Sequence, residues 1–212
     1  VTHIGGAGLT LPRYLAHTRP SSPQIVLEPD AATTDQVRAQ LPLPRGHRIR
    51  VRAQDGVAGM AALADGSADA VLLDAYADGR VPAALTTMEF LGELARVLAP
   101  GGFAVLNLAD EPGLSYVARV AAGAAAAGLP HVSLLGVHEV LKGKRFGNVV
   151  LVASAAPHDA DELRRHAARC PHPTGVRGAD DVTRLVKGAR PFTAIDRRHS
   201  PEPPAVLSWR RV

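Results

Sequence analysis

The sequence is poor in cysteine and in long apolar runs, and both absences exclude classes of protein. Cys170 is the single cysteine among 212 residues, so the chain has no internal disulfide framework, and we expect a reducing, cytoplasmic setting. No stretch approaches the ~20 apolar residues of a membrane span. The first residues show no signal-peptide pattern. We therefore expect a cytoplasmic protein that does not associate with a membrane.

Charge and metal-ligand patterns exclude two further classes of partner. Acidic and basic side chains balance over residues 1–157, so the formal net charge of +4 arises from residues 158–212. In that tail the arginines are scattered among acids with few aromatic residues between them, which argues against a nucleic-acid surface. His166, Cys170 and His172 are too few for a closed structural zinc site, so we predict no metal site.

Strand-like and helix-like segments alternate along the first part of the chain. Seven short apolar runs predict strands: the residues before Gly5, then 24–27, 49–53, 69–73, 103–108, 131–137 and 148–154. Helical patterns predict helices over 9–18, 31–41, 57–63, 117–127 and 159–169. Thr86 and Glu89 have capping-box spacing, which predicts one more helix that begins there.

This alternation predicts an α/β fold of the Rossmann-like kind. The sheet is expected to be mostly parallel, with helices on both faces. The last two strands flank a short basic turn at residues 142–147, which predicts an antiparallel pair at the end. We assign residues 1–156 to this domain, and residues 157–212 to a C-terminal helix plus a basic Pro/Arg-rich tail.

A glycine-rich turn follows the first strand. Gly5, Gly6 and Gly8 carry no Cβ atom, so the backbone can bend sharply and approach a ligand closely. The helix expected next would present free N–H groups to polar ligand atoms. A strand, a glycine turn and a helix open many nucleotide-binding sheets. The full G-x-G-x-x-G spacing is missing, because Leu11 stands at the third glycine position, so a purely structural turn is the alternative.

Three acidic residues stand at or just beyond the ends of predicted parallel strands. Glu28, Asp55 and Asp74 are therefore expected at one edge of the sheet, where ligands bind in such folds. Glu28 lies at the distance from the glycines where an acid can accept from ribose hydroxyls. Asp55 can accept from an adenine amino group, and Asp74 points at the reacting end of a nucleoside.

Each acid has a structural alternative, as a helix N-cap or a solvated loop residue. No lysine or arginine near the glycine turn is poised for a pyrophosphate, which bears on the ligand. Acids without a clamp for pyrophosphate favour a nucleoside, including a cationic one, over NAD or ATP.

Several motifs together resemble the spermidine synthase (polyamine aminopropyltransferase) family. They are HIGGAGLTLPRYL, IVLEPD, RAQDG, VLLDAYADG, ARVLAPGGFAVLNLAD and RFGNVVLVAS. The resemblance covers roughly residues 1–156 and implies the class I methyltransferase fold, with a seven-stranded sheet whose final strand is antiparallel. LAPGG occurs in class I methyltransferases generally, so it points to the fold rather than to the reaction.

The resemblance also implies an activity and a set of site residues. The expected reaction is transfer of an aminopropyl group from decarboxylated S-adenosylmethionine to a polyamine such as putrescine, with Asp74 as general base and no metal. A homodimer and a small-molecule amine substrate are expected as partners. The donor is expected to contact Gly5, Gly6, Gly8, Glu28, Asp55, Gly56 and Asp74. Tyr76 and Asp78 complete the expected catalytic group with Asp74.

Two departures from the family pattern leave alternatives open. Gly8 stands where the family has an acid that holds the aminopropyl ammonium group. Ala77 stands where a second acid is usual, and Asp78 follows one position later. The family's N-terminal β module also does not appear in this sequence. Methyl transfer from S-adenosylmethionine to a small molecule, or a non-catalytic relative that keeps the nucleoside-binding fold, are therefore the alternatives.

Overall fold

One mixed β-sheet organises the computed structural model, which describes residues 1–6 and 8–204. The strands β1 to β8 are Thr2–Ile4, Gln24–Leu27, Ile49–Arg52, Ala68–Leu73, Leu98–Asp110, His131–Val137, Gly147–Ser154 and Thr174–Arg177. Their spatial order is β3-β2-β1-β4-β5-β7-β6-β8. Strands β1 to β5 are mutually parallel, and β7 is antiparallel to both β5 and β6. The predicted mostly parallel sheet with an antiparallel strand β7 is confirmed.

The strand count is a correction, because the sheet has eight strands instead of seven. β8 arises from the segment assigned to the basic tail and pairs antiparallel with the edge of β6, with Leu135 opposite Val176. Its four residues are all half-buried and show no alternation of apolar and polar positions. The local sequence of β8 therefore carries no strand signal, and the long-range pairing with β6 defines the strand. The sheet thus continues past the predicted boundary at residue 156.

Helices cover both faces of the sheet, as predicted. The helices α1 to α8 are Thr10–Thr18, Ala31–Gln40, Gly56–Ala61, Met88–Val97, Ser115–Ala126, His138–Leu141, Ala160–Ala167 and Ala179–Leu185, with a 3₁₀ helix at Ala83–Thr86. On one face, residues of α1 and α2 pack on Val26 and Ile49. On the other face, α3, α4 and α5 bury the larger apolar cluster, which includes Met60, Leu94 and Val120.

The start of α4 differs from the predicted capping box. Thr87, rather than Thr86, is the N-cap, and its Oγ1 accepts from the Phe90 N–H at 3.3 Å. Thr86 is fully buried, and its hydroxyl pairs with the Tyr116 hydroxyl at 3.0 Å. Glu89 accepts from the N–H of Ala194. The tertiary partners of Thr86 and Glu89 therefore shift the helix start by one residue.

The C-terminal part of the chain packs on the domain. Asp159 caps α7, close to the predicted helix, and α8 contacts α5 and β6. Phe192 is buried against the Tyr116 ring at a centroid distance of 5.2 Å. Residues 205–212 of the predicted tail lie outside the described residues, as does Ala7. No described helix combines the length and the apolar character that a membrane crossing requires.

Candidate active site

A cleft lies at the edge of the sheet where the parallel strands β1 to β4 end. Its volume is about 410 Å³, a size typical of small-molecule sites. Apolar side chains such as Leu27, Val57 and Leu85 line much of it, which suits the flat face of a purine. Of the residues predicted for the site, the lining includes Gly5, Gly6, Glu28, Asp55, Gly56, Asp74 and Tyr76.

A side chain at Gly5 or at Gly6 would collide with a neighbouring part of the chain. Gly5 has φ +81°, and a Cβ atom there would lie 2.4 Å from the carbonyl oxygen of Asp74. A Cβ atom on Gly6 would lie 2.8 Å from Cγ1 of Val26. The Gly5 N–H donates to the Leu27 carbonyl at 2.9 Å, which continues the β1–β2 ladder into the turn. Gly5 therefore lets the end of β4 approach the end of β1 closely.

Glu28 joins the end of β2 to the glycine turn. Its Oε2 accepts from the Gly6 N–H at 3.2 Å, and its Oε1 accepts from the Asp30 N–H at 3.0 Å. The residue is only 8% exposed, yet it lines the cleft. A carboxylate offers about four lone-pair positions, so each oxygen retains capacity for a ribose hydroxyl. Glu28 thus orders the turn and faces the ligand space.

Asp55 is a helix N-cap, the structural alternative given in the sequence analysis, and it also borders the cleft. Its Oδ1 accepts from the N–H groups of Val57 and Ala58, both at 2.9 Å, so it is the N-cap of α3. Both bonds use Oδ1, which leaves Oδ2 to accept from a ligand. Gly56 follows in the first turn, and a Cβ atom there would lie 2.6 Å from Cγ2 of Ile4. Close packing of α3 on β1 brings the Asp55 carboxylate to the cleft.

Asp74 stands in a hydrogen-bonded chain of side chains that spans three strands. Asn107 on β5 donates from Nδ2 to Oδ1 of Asp74 at 2.9 Å. Asn148 on β7 donates to Oδ1 of Asn107 at 2.9 Å and to the Tyr76 hydroxyl at 3.3 Å. Tyr76 in turn donates to the Asn107 carbonyl at 3.2 Å. The chain fixes the orientation of the Asp74 carboxylate while leaving it open to the cleft.

Tyr76 is a neutral hydroxyl at physiological pH. Burial, and next the Asp74 carboxylate, raise the pKa of Tyr76 far above its usual value, because both disfavour a phenolate there. Tyr76 can therefore donate or accept a hydrogen bond at the cleft, but it does not serve as a base.

Asp78 is a predicted site residue that lies outside the described lining of the cleft and of the smaller cavity beside it. Asp78 and Gly79 form a two-residue turn with φ +51° and +74°, and Ala77 and Arg80 exchange backbone hydrogen bonds on either side. Asp-Gly with two positive φ angles is the preferred sequence for this hairpin turn. The turn explains why the acid stands one position after Ala77, which itself lines the cleft.

Gly8 borders a second, smaller cavity beside the cleft. This cavity has a volume of about 170 Å³ and shares Gly5, Gly6 and Asp74 with the cleft. Asp74 is the one carboxylate among its described lining residues. His3 also lines it and is held by Gln24, with 2.8 Å between Nε2 and Oε1. Burial, above all, lowers the pKa of His3, so its imidazole is neutral near pH 7.

The charges around the cleft select for a cationic ligand. Glu28, Asp55 and Asp74 come from three strand ends, and no lysine, arginine or histidine is among the described residues that line the cleft. Such a one-signed lining concentrates positive ligands. Within residues 1–6 and 8–204, no group of His, Cys, Asp or Glu side chains forms a candidate metal site.

Asn107 and Asn148 were missed as site residues by sequence reasoning. Both lie inside predicted strands, in the runs FAVLNLAD and RFGNVV. Asparagine is depleted in strands, so an amide near the end of an apolar run is an available signal of a local role. The hydrogen-bond partners of these two asparagines, however, cannot be predicted from the sequence without knowing that β7 lies beside β5 in the sheet.

Comparison with solved structures shows what kind of protein has this geometry. No protein-family model and no curated protein sequence matches the chain. A probable spermidine synthase from Corynebacterium glutamicum aligns at TM-score 0.83 and 29% identity, over 91% of this chain and 71% of that one. The chain is a spermidine synthase-like protein. This finding confirms the resemblance drawn from the motifs.

Two more distant structures confirm the fold of this spermidine synthase-like protein. Human methyltransferase-like protein 13 in complex with SAH aligns at TM-score 0.62 and 22% identity, over 91% of this chain and 84% of that one. The spermidine synthase from Thermotoga maritima aligns at TM-score 0.56 and 14% identity, over 87% of this chain. The spermidine synthase-like chain spans 64% of the T. maritima protein's length. At these identities the likeness establishes the class I methyltransferase fold alone.

Proposed function

We propose that this chain transfers an aminopropyl group from decarboxylated S-adenosylmethionine to a polyamine such as putrescine. The observation that carries this proposal is the convergence of three carboxylates on a cleft whose described lining has no basic residue. The donor and a protonated polyamine are both cations, and both would be attracted there. The probable spermidine synthase from C. glutamicum supports the same reaction class.

The nucleoside part of the donor fits the end of the cleft formed by β1, β2 and α3. Glu28 would accept from the ribose hydroxyls with the lone pairs that its backbone bonds leave unused. Oδ2 of Asp55 would accept from the adenine amino group. The glycine turn would lie against the sugar, since Gly5 and Gly6 present no side chain there.

Asp74 would act at the reacting end. The attacking amine nitrogen forms a bond to the methylene carbon next to the sulfonium, the carbon–sulfur bond breaks, and neutral methylthioadenosine leaves. The proton lost by the amine passes to Asp74, whose carboxylate is oriented by Asn107. Because the sulfonium is already a good leaving group, positioning of the two reactants would supply most of the rate.

A second candidate function is methyl transfer from S-adenosylmethionine to a small molecule. The smaller cavity favours it, because Gly8 and not an acid borders this space, and Asp74 is the one carboxylate among the described lining residues. An aminopropyl donor would place an ammonium group there without a dedicated partner. The carboxylate of S-adenosylmethionine would meet less repulsion than beside a second acid.

The decisive experiment compares donors and measures products. The chain is incubated with decarboxylated S-adenosylmethionine or with S-adenosylmethionine and a panel of amines, and released methylthioadenosine and S-adenosylhomocysteine are quantified by chromatography. Amine-dependent release of methylthioadenosine from the decarboxylated donor would support aminopropyl transfer. Release of S-adenosylhomocysteine instead would favour methyl transfer. Nucleoside binding without either product would identify a non-catalytic relative and overturn the proposal.

A further inference from the structure

The C-terminal segment reaches back to the loop that carries one side of the cleft. We name residues 190–204 the C-terminal strap, and residues 77–82 the acceptor-side loop. The loop connects the end of β4, with Asp74 and Tyr76, to the 3₁₀ helix at Ala83–Thr86. Ala77 and Pro82 of the loop line the cleft directly.

The first half of the strap packs on helices that lie far away from it in the sequence. The Phe192 ring lies under the Arg119 guanidinium, 3.8 Å from its carbon to the ring centroid. The Phe192 carbonyl accepts from the Met88 N–H at 2.8 Å. Arg119 also donates to the Arg190 carbonyl and forms an ion pair with Asp196. These contacts fix the strap to the beginning of α4 and to α5.

The second half of the strap holds the acceptor-side loop through Ser200. Ser200 is fully buried, and its Oγ accepts from the Val81 N–H at 2.9 Å. The Ser200 N–H donates to the Val81 carbonyl at 3.3 Å, and the Arg80 Nε donates to the Ser200 carbonyl at 2.7 Å. A Cβ atom on Gly79 would lie 3.3 Å from Cγ of Pro203, so the strap also covers the turn.

We propose that Ser200, through its contacts with the acceptor-side loop, is a positioning residue for the acceptor. This inference rests on the proposed function, since it assigns the acceptor to the Asp74 end of the cleft. Ser200 does not line the cleft. It acts through Val81, which is fully buried and immediately precedes Pro82. Without this contact the loop would keep its tight turn but lose its fixed distance from Asp74.

The test compares Ser200→Ala with Thr193→Ala in the full chain. Thr193 is the matched control, because its hydroxyl accepts from the Asp196 N–H within the strap and does not touch the loop. In Ser200→Ala the buried Val81 N–H loses its acceptor, so its hydrogen exchange should accelerate about 5–10-fold. We expect a several-fold rise in the KM for the amine and an unchanged KM for the donor. Thr193→Ala should match the wild type in all three quantities.

The outcomes separate this inference from the proposed function. Unchanged Val81 exchange in Ser200→Ala, or equal effects of both substitutions, would overturn the role of Ser200. A parallel rise in both KM values would also overturn it, because it would indicate general loosening. If the wild type releases no methylthioadenosine, the proposed function fails, while Val81 exchange still decides whether Ser200 fixes the loop. Methylthioadenosine affinity in the two variants then shows whether the effect is confined to the acceptor side.

Discussion

The two halves of the cleft are held in place by different kinds of contact. In the nucleoside half, Glu28 and Asp55 accept from backbone N–H groups two residues further along the chain, and Glu28 also accepts from Gly6 at the neighbouring strand end. In the acceptor half, Asp74 is oriented by an amide on β5, and the loop after it is held by Ser200, 119 residues further along the chain than Val81. One half is therefore built from hydrogen bonds that span 2 to 22 residues, and the other depends on more remote parts of the chain.

The two halves of the cleft therefore have different structural requirements. Under the proposed function, the nucleoside half would present fixed groups to one invariant ligand part, and short loops at strand ends would achieve that. The acceptor half would accommodate a reacting partner, and its position follows from the packing of β5, β7 and the strap. Changes in substrate class are therefore expected to arise through the acceptor half without altering nucleoside recognition.

The largest expected effect is loss of turnover in Asp74→Asn. Asparagine keeps a partner for Asn107 but cannot take a proton from the amine, so the rate should fall by about 10²- to 10⁴-fold. Methylthioadenosine affinity, measured by calorimetry, should change less than about 2-fold, since this residue lies in the acceptor half. A rate equal to that of the wild type would remove Asp74 from the mechanism.

Gly5→Ala should affect the whole site, because Gly5 lies where the two halves touch. The added methyl group would meet the Asp74 carbonyl oxygen at 2.4 Å, at a φ of +81°. We expect a loss of about 2–4 kcal/mol in the free energy of unfolding, measured by denaturant titration. Gly8→Ala is the control, because its nearest contact, Thr10 Oγ1, lies at 3.4 Å and the change should cost little. Equal stabilities of the two variants would contradict the close approach of β1 and β4.

Glu28→Gln should weaken the nucleoside half selectively. The amide group replaces one acceptor oxygen with a donor, so it cannot accept from both Gly6 and Asp30 and also bind ribose hydroxyls. We expect a loss of about 1.5–3 kcal/mol in methylthioadenosine binding, from the strength of hydrogen bonds to charged groups. Wild-type affinity in this variant would show that the ribose does not contact Glu28.

Asp110 provides a pH-dependent test of the packing at the end of β5, the strand that carries Asn107. It is fully buried at the end of β5 and accepts from the N–H groups of Glu111 and Val117. Burial raises the pKa of Asp110 from 3.8 to about 6, so the folded state binds this proton more tightly than the unfolded state. The wild type should therefore lose on the order of 1–3 kcal/mol relative to Asp110→Asn as the pH rises from about 4 to about 6. Urea titrations across this range provide the measurement, and a wild-type stability that stays constant or rises relative to that of Asp110→Asn would be inconsistent with a raised pKa.

The smallest expected effect separates the two roles of Asp55. Asp55→Ala removes the N-cap of α3 and should cost about 1 kcal/mol of stability, whereas Asp55→Asn keeps a capping oxygen and should cost less. If Oδ2 also accepts from adenine, both variants should bind methylthioadenosine less tightly. Thermal unfolding and calorimetry on the pair distinguish capping from ligand contact. An alanine variant as stable as the wild type would refute the capping role.

The nucleoside half is also the part that sequence reasoning predicts well. The glycine at Gly5 and the acids at Glu28 and Asp55 follow predicted strands as local sequence patterns, and β2 matches its predicted bounds. The acceptor half was predicted only through Asp74 and Tyr76. Strand order and the packing of the C-terminal strap on the acceptor-side loop determine the positions of Asn107, Asn148 and Ser200, and no short sequence pattern encodes either of them.

The same reasoning explains the remaining errors. β8 exists because the edge of β6 is available for pairing, and Thr86 leaves its predicted capping position because its hydroxyl meets Tyr116 inside the core. The catalytic role of Asp78 stays a prediction, and a turn with two positive φ angles places this residue outside the described cleft lining. In each case a tertiary partner or a backbone angle overrides a correct local preference.

Calorimetric titration of methylthioadenosine into the wild-type chain tests the central claim most directly, since this nucleoside is what both halves of the cleft would hold after aminopropyl transfer. We predict saturable binding with one site per chain, much weakened in Glu28→Gln and nearly unchanged in Asp74→Asn. The absence of binding by methylthioadenosine and by both sulfonium donors would contradict the assignment of this cleft as a nucleoside site.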